Sequence, residues 1–221
     1  MKISFSTLGC PNWLWREIIV AAKELGYQGI ELRGLGQDLF VPQVSLFRPE
    51  NLAATRADLV QNNLSIPCIS TECTLQESSQ EILDKAVSYL ELASALGAPY
   101  IRVLGDTNPA PDDTTDEETV FENLQKLIPM AEKCGVTMLI ETNGIFADSR
   151  RLRALIERID SPFVQVLWDL NHPVRYFAET PAETWENIGA HVRHVHVKDS
   201  VMDKGHMQYK MLGYGDLPIR E

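Results

Sequence analysis

Cysteine is scarce in this chain, and its few cysteines are not arranged in any metal-binding or redox motif. There are 4 cysteines among 221 residues, and no two of them have the C-x-x-C spacing. That spacing is typical of redox-active pairs and of many structural zinc sites. We therefore predict no disulfide, and we predict buried free thiols for Cys10, Cys68, Cys73 and Cys134.

Positive charge is also in short supply. The chain has 20 lysines and arginines against 31 aspartates and glutamates, which gives a net charge of -11. No cluster of basic residues is interleaved with aromatic ones, so a polyanion would on average be repelled. This balance argues against a nucleic-acid partner.

Long apolar runs and a dinucleotide-binding motif are absent as well. No apolar run is long enough to span a bilayer, and the segment after Met1-Lys2 is too short and too polar for the core of a signal peptide. We therefore expect no membrane partner and a cytoplasmic location. No G-x-G-x-x-G follows the first predicted strand, and Gly34-Leu-Gly36, after the second, is interpreted as an ordinary loop.

The sequence does contain a regular alternation of helix, glycine and strand. Helical patterns end at Gly26, Gly97 and Gly135, and a strand-like segment follows each of them. Strands are predicted at 2–7, 30–33, 65–71, 100–104, 136–141, 163–169 and 192–198. The acidic stretch 112–118 is interpreted as the N-terminus of a helix, capped by Thr115 or Asp116.

This alternation predicts an α/β fold. The strands start roughly 30 residues apart, which is the period of a βαβ unit. No long linker interrupts the chain, so a single domain is expected over residues 1–221. Seven such units favour a (β/α)8 TIM barrel that lacks its eighth unit in this chain, with the next strand expected about five to ten residues beyond Glu221. The predicted domain is therefore C-terminally incomplete.

Three of the predicted strands carry a residue that can bind a metal. Glu141 ends the fifth strand, Asp169 ends the sixth, and His196 lies near the end of the seventh. A parallel strand is buried on both faces, so an ionisable group there costs roughly several kcal/mol unless it is paired or bound to metal. Because the C-terminal ends of parallel strands meet at one mouth, the pattern predicts a divalent-metal site.

A second imidazole follows Asp169 closely. His172 comes three residues later, where the strand has ended and where Pro173 is predicted to prevent a helix from starting. The His172 side chain can therefore reach the same mouth. A surface loop histidine is the alternative interpretation.

The seventh strand adds polar residues to one of its faces. Its two-residue period places His194, His196 and Lys198 together, and the later two lie nearer the mouth. We interpret His194 as a core histidine. Asp199 is a candidate acceptor for the N–H of a ligand histidine. Arg102 on the fourth strand is a candidate cation for a carboxylate or phosphate, with a structural salt bridge as the alternative.

These motifs resemble those of the xylose isomerase-like TIM-barrel superfamily, in particular its sugar isomerases and epimerases of the tagatose-3-epimerase and hydroxypyruvate-isomerase type. The shared pattern is a Glu ending strand five, Asp-x-x-His after strand six and His-x-His-x-Lys-Asp on strand seven. The resemblance implies that Glu141, Asp169 and His196 bind one Mn²⁺, Mg²⁺, Co²⁺ or Zn²⁺ ion. It also implies that His172 contacts the sugar and that Glu141 doubles as an acid/base. The family's fourth ligand, a Glu on strand eight, has no counterpart here.

The resemblance implies a divalent-metal-dependent isomerase or epimerase that abstracts a proton next to a metal-bound carbonyl. Its substrate would be a sugar, a sugar phosphate or a small keto acid, held by His172, Lys198 and Arg102. A metal-dependent dehydratase of the inosose or dehydroshikimate type is the alternative. An AP endonuclease is disfavoured because strands 30–33 and 65–71 lack the extra histidines and the chain is acidic. A degenerate barrel that serves as a binding subunit, and a homo-oligomer, are left open.

Overall fold

The computed structural model describes residues 2–112 and 114–219. Met1 and Glu221, the ends of the predicted domain, lie outside the described residues. The chain groups into two compact units. The first contains the chain up to Cys73 with Ser79–Val103 and Leu127–Met138; the second contains Thr74–Ser78, Leu104–Lys126 and the chain from Leu139. Among the described residues, no helix has the length and apolarity needed to cross a bilayer.

The strands are parallel up to the last two. They are β1 (Ser4–Ser6), β2 (Gly29–Glu31), β3 (Cys68–Thr74), β4 (Tyr100–Leu104), β5 (Thr137–Glu141), β6 (Val164–Asp169), β7 (Val192–His196), β8 (Asp199–Asp203) and β9 (His206–Lys210). β1 pairs in parallel with β2, and β3 to β7 form one sheet in chain order. Parallel bridges join Gly29 to Ser65 and Leu32 to Ile69, so β2 runs beside β3. This arrangement confirms the predicted α/β fold.

Helices separate the parallel strands. They are α1 (Trp15–Glu24), α2 (Pro49–Gln61), α3 (Gln80–Leu96), α4 (Glu117–Cys134), α5 (Ser149–Ile159), α6 (Asn171–Phe177) and α7 (Pro181–Ile188). The N–H of Glu118 donates to Asp116 Oδ1 (3.0 Å), which confirms Asp116 as a cap of α4. The four cysteines are free thiols, and all but the half-buried Cys134 are buried.

The prediction that Pro173 prevents a helix was wrong. Pro173 is the third residue of α6. A proline in the first helical turn costs little, because its missing N–H would have no partner within the helix. His172 therefore lies in the first turn of a helix, and its backbone is fixed more firmly than in the predicted loop.

The turn that follows Glu141 and Thr142 is held by a buried carboxylate. Asp106 Oδ2 accepts from the N–H of Ile145 (3.0 Å), and the Asn143 amide donates to the Asp106 carbonyl (3.2 Å). Gly144 stands against this carboxylate with φ of +56°, and a Cβ added there would meet Asp106 Oδ2 at 2.1 Å. The turn therefore requires glycine at position 144 for two reasons: the positive φ angle and the lack of space for a Cβ atom.

We expect Gly144→Ala to destabilise the protein by about 3 kcal/mol or more in urea unfolding, because the methyl group must displace Asp106 from its hydrogen bonds. Gly135→Ala is the matched control, since Gly135 also has positive φ (+65°) but no atom within 4 Å of its added Cβ. Left-handed strain alone should cost the control about 1–2 kcal/mol. Equal losses in the two variants would show that the Asp106 contact is not limiting.

An antiparallel hairpin follows β7, and the sequence interpretation missed it. β8 and β9 pair from Asp199↔Lys210 to Asp203↔His206. The two turn residues, Lys204 (φ +50°) and Gly205 (φ +82°), both have positive φ, as a type I′ turn requires.

Asp199 does not serve a histidine as predicted. Its carboxylate accepts the N–H groups of Ser200 (2.9 Å), Gly213 (2.8 Å), Gly215 (2.8 Å) and Leu217 (3.4 Å). Burial would raise the pKa of Asp199, but these donors outweigh it and hold the pKa below its usual value. The carboxylate thus ties the loop after β9 to the start of β8.

We expect Asp199→Asn to lower the thermal unfolding midpoint at neutral pH, because one carboxylate oxygen becomes an amide that faces N–H donors. Asp203→Asn should change the midpoint much less, because Asp203 Oδ2 accepts from the exposed Gln208 side chain (3.1 Å) and not from a cluster of backbone N–H groups. Because the folded-state pKa of Asp199 is lowered, its contribution to stability is fully present above the usual aspartate pKa and is lost as the pH falls below that value and through the lowered folded-state pKa. A stability difference between wild type and Asp199→Asn that persists unchanged at low pH would contradict this account.

Candidate active site

The ends of β5, β6 and β7 bring the three predicted metal ligands together. Asp169 and His196 are register partners across β6 and β7. His196 Nδ1 lies 3.4 Å from Glu141 Oε1 and 3.9 Å from Asp169 Oδ2. Asp169 is fully buried and Glu141 nearly so, while the His196 side chain is 17% exposed. Two carboxylate oxygens and one imidazole nitrogen therefore face one another within the second compact unit.

His172 joins the same group from the first turn of α6. One ligand atom from each of Glu141, Asp169 and His172 lies within 4.8 Å of the other two. His172 Nδ1 is 2.8 Å from the Thr142 carbonyl oxygen, which can only accept, so Nδ1 carries the proton. His172 Nε2 is buried and has no hydrogen-bond partner among the described residues. The ring is thus fixed at one nitrogen and available at the other.

Thr142 positions Asp169 as well as His172. Its hydroxyl accepts from the Asp169 N–H (2.8 Å) and donates to the Asp169 carbonyl (3.1 Å). The N–H of Asn171 donates to Asp169 Oδ1 (2.9 Å). With Oδ1 engaged in this way, Oδ2 is the oxygen turned toward His196 and Lys198.

Lys198 contacts both carboxylates. Its ammonium nitrogen makes an ion pair with Asp169 Oδ2 and lies 4.0 Å from Glu141 Oε1. Burial opposes the charge, but the carboxylates of Asp169 and Glu141 outweigh it, so the pKa of Lys198 is raised. The predicted substrate cation therefore stands among the predicted metal ligands.

A polar network that the sequence did not reveal supports the group. Ser200 Oγ donates to Asn171 Oδ1 (2.7 Å), and Arg175 Nε donates to Ser200 Oγ (2.7 Å). Arg175 also makes an ion pair with Asp216. The chain of contacts runs from the Asp169 carboxylate through Asn171 to β8. Arg175 lies three residues after His172, on the same helical face, and that spacing was the available signal.

Arg102 lies in the first compact unit, where it is buried beside β3. Its Nη1 donates to the Thr71 carbonyl (2.8 Å) and its Nε to Ser70 Oγ (3.3 Å). Ser70 in turn donates to Glu31 Oε1 (2.6 Å). These hydrogen bonds to uncharged acceptors give Arg102 structural contacts at β3, and both its role in substrate binding and the alternative salt bridge remain predictions.

Comparisons with known proteins agree with this fold. The probable 3-DHS dehydratase AsbF involved in petrobactin synthesis from Bacillus anthracis superposes with a TM-score of 0.78 at 19% identity, covering 100% of this chain and 86% of that one. A xylose isomerase-like TIM barrel protein from Mycobacterium smegmatis, in complex with magnesium, gives 0.77 at 18% identity, covering 99% and 83%. The 3-keto-D-glucoside 4-epimerase YcjR from E. coli gives 0.70 at 18% identity, covering 100% and 84%.

No curated protein matches the chain in sequence. The solved structures show the fold, and the proteins that share it include an epimerase and a probable dehydratase. Residues 19–221 match the family described as the xylose isomerase-like TIM barrel. The chain therefore belongs to the xylose isomerase-like TIM-barrel family.

Proposed function

We propose that this protein is a divalent-metal-dependent isomerase or epimerase of a small sugar, sugar phosphate or keto acid. The observation that carries the proposal is the convergence of Glu141, Asp169 and His196 at the ends of neighbouring parallel strands. Family membership and the epimerase among the similar structures support it.

The donor set fits a divalent ion. His172 Nε2 is buried and has no hydrogen-bond partner among the described residues, which is costly unless a cation or a ligand engages it, and Asp169 Oδ2 already pairs with one cation, the Lys198 ammonium. Carboxylate oxygens with imidazole nitrogen suit Mn²⁺, Co²⁺ and Zn²⁺, and carboxylates suit Mg²⁺. Glu141, Asp169 and His196 would hold the ion, which when bound supplies a positive charge beside a carbonyl oxygen.

Glu141 is the proposed base. A carboxylate within hydrogen-bond reach of a carbon next to a carbonyl can take its proton while negative charge moves to the carbonyl oxygen. Return of the proton to the same carbon from the opposite face is epimerisation, and return to the neighbouring carbon is aldose–ketose isomerisation. Glu141 Oε1 lies 3.4 Å from His196 Nδ1 and 4.0 Å from the Lys198 ammonium, so the carboxylate stands within the candidate site.

His172 and Lys198 are the proposed substrate contacts in this unit. Because the Thr142 carbonyl holds Nδ1 of His172, Nε2 can accept a hydrogen bond from a substrate hydroxyl. The ammonium of Lys198 can hold an anionic oxygen of a carboxylate or phosphate.

A dehydratase is the second candidate, favoured by the structural similarity to AsbF. Dehydration can begin with the same proton abstraction, but a hydroxyl then leaves as water. Product mass separates the two reactions, because isomerisation conserves mass and dehydration removes one water. A panel of ketoses and cyclic polyol ketones, incubated with the Mn²⁺-loaded protein and analysed by mass spectrometry, tests both.

We expect Glu141→Gln to reduce solvent-deuterium exchange at the reacting carbon by about 10²–10⁴-fold, since the amide keeps the size and loses the basicity. NMR of the recovered substrate measures the exchange. Glu157→Gln, which removes an exposed glutamate paired with Arg153 on α5, is the control and should exchange normally. Undiminished exchange in Glu141→Gln would show that the base lies elsewhere.

We expect substitutions of His196 and His172 to affect different ligands, the metal ion and the substrate respectively. His196→Ala should weaken Mn²⁺ binding by about 100-fold or more in calorimetric titration, because losing a ligand should cost more than the roughly 10–100-fold typical of losing a ligand's hydrogen-bond partner. His172→Ala should weaken substrate binding more than Mn²⁺ binding. His206→Ala on the exposed strand β9 is the control. Comparable losses of Mn²⁺ affinity in both variants would make His172 a ligand and contradict this assignment.

A further inference from the structure

Lys198 contacts the two carboxylates that the proposed metal site needs. Its ammonium pairs with Asp169 Oδ2 and lies 4.0 Å from Glu141 Oε1. His196 Nδ1 lies 3.9 Å and 3.4 Å from the same two oxygen atoms. The ammonium and the imidazole therefore share one pair of oxygens.

An ammonium and a divalent ion cannot both be close to these oxygens at low cost. Two cations a few ångströms apart repel, and each carboxylate oxygen that binds a metal is less available to the lysine. Lys198 is suited to leave, because its charge is carried at the end of a flexible four-carbon stem. Its side chain is also a third exposed, so it has room to move.

An alternative binding position for the Lys198 ammonium lies close by. Lys198 Nζ stands 5.9 Å from the centre of the Tyr209 ring, at the outer limit of a cation–π contact. Tyr209 belongs to β9, and its ring is mostly exposed. A short swing of the lysine stem would bring the ammonium onto the ring face and away from Asp169.

We propose that Lys198 is an internal counter-ion that competes with the divalent metal for Asp169 and Glu141, and that metal entry moves its ammonium to the Tyr209 ring. The inference deepens the proposed function and rests on the metal site named there. It gives one side chain two sets of partners: the metal-binding carboxylates before metal binds, and the aromatic ring and an anionic substrate oxygen afterwards.

The proposal makes a specific thermodynamic prediction. Removing the Lys198 ammonium should tighten Mn²⁺ binding, because no internal cation then has to be displaced. Removing the Tyr209 ring should weaken Mn²⁺ binding, because the displaced ammonium loses its second partner. The Tyr209 effect should vanish when Lys198 is absent, since it acts only through that ammonium.

A double-mutant cycle tests these expectations. Mn²⁺ is titrated calorimetrically into the wild type, Lys198→Met, Tyr209→Leu and the double variant. We expect Lys198→Met to bind Mn²⁺ roughly tenfold more tightly, within the usual range of coupling between two sites. Tyr209→Leu should bind about two- to fivefold more weakly, the equivalent of about 0.5–1 kcal/mol. The double variant should match Lys198→Met.

Lys210→Met is the charge-matched control, since it removes one cation from the exposed strand β9 and should shift the affinity by less than about twofold. Circular dichroism melts establish that each variant folds. Lys198→Gln replaces Lys198→Met if the latter does not fold, because it also removes the charge.

The outcomes separate this inference from the proposed function. The counter-ion inference fails, and the metal site stands, if wild type binds Mn²⁺ but Lys198→Met binds it no more tightly. The same conclusion follows if Tyr209→Leu weakens Mn²⁺ binding equally in the wild type and in the Lys198→Met variant. If Lys198→Met binds Mn²⁺ and wild type does not, the competition is supported in its extreme form. If neither binds Mn²⁺, both proposals are overturned.

Discussion

The buried carboxylate of Asp169 is the constraint on which the rest of the site depends. A fully buried aspartate is costly unless both of its oxygens are engaged. Oδ1 accepts from the Asn171 N–H, which fixes how the chain leaves β6 and enters α6. Oδ2 pairs with Lys198 and faces His196. The positions of α6, His172 and Lys198 all follow from satisfying this one group.

Thr142 extends that constraint to Glu141. Its hydroxyl makes two hydrogen bonds with the Asp169 backbone, and its carbonyl accepts from His172. Because Thr142 is bonded directly to Glu141, the ends of β5 and β6 cannot move independently. The glycine-dependent turn beyond it, anchored on Asp106, limits the same segment from the other side. These contacts hold the end of β5 at several points, in addition to the contacts that the Glu141 carboxylate makes with His196 and Lys198.

Much of this arrangement could be predicted from the sequence, for identifiable reasons. Glu141 and Asp169 close apolar strands that a parallel sheet buries, so their polarity stood out and their positions followed from the strand ends. The register that pairs Asp169 with His196 follows from neighbouring parallel strands that end together. Predictions built on such long-range regularity agreed with the structure.

The features that the sequence did not predict depend on local contacts, which the periodicity of strands and helices does not reveal. The β8–β9 hairpin is signalled only by Lys204-Gly205, a weaker turn signal than Asn-Gly. Pro173 was read as a helix breaker because its position within the first turn of α6 was not known. Asp199 bonds to N–H groups of residues 213–217, a loop contact with no fixed sequence spacing. The Ser200–Asn171 contact likewise depends on how the hairpin folds back.

That hairpin also bears on which reaction the site would perform. Isomerases and dehydratases can share the first proton transfer, so Glu141 and its neighbours do not distinguish them. The distinction depends on whether a second group can protonate a departing hydroxyl or instead return the proton to carbon. β9 carries Met207, whose sulfur lies 3.1 Å from the Asn171 amide, and Tyr209, which stands beside Lys198. In TIM barrels, the chemistry varies largely through the loops that follow the strand ends. The strand ends of this protein carry the proposed base and the proposed metal ligands, and we expect the hairpin beside them to influence where the proton goes next.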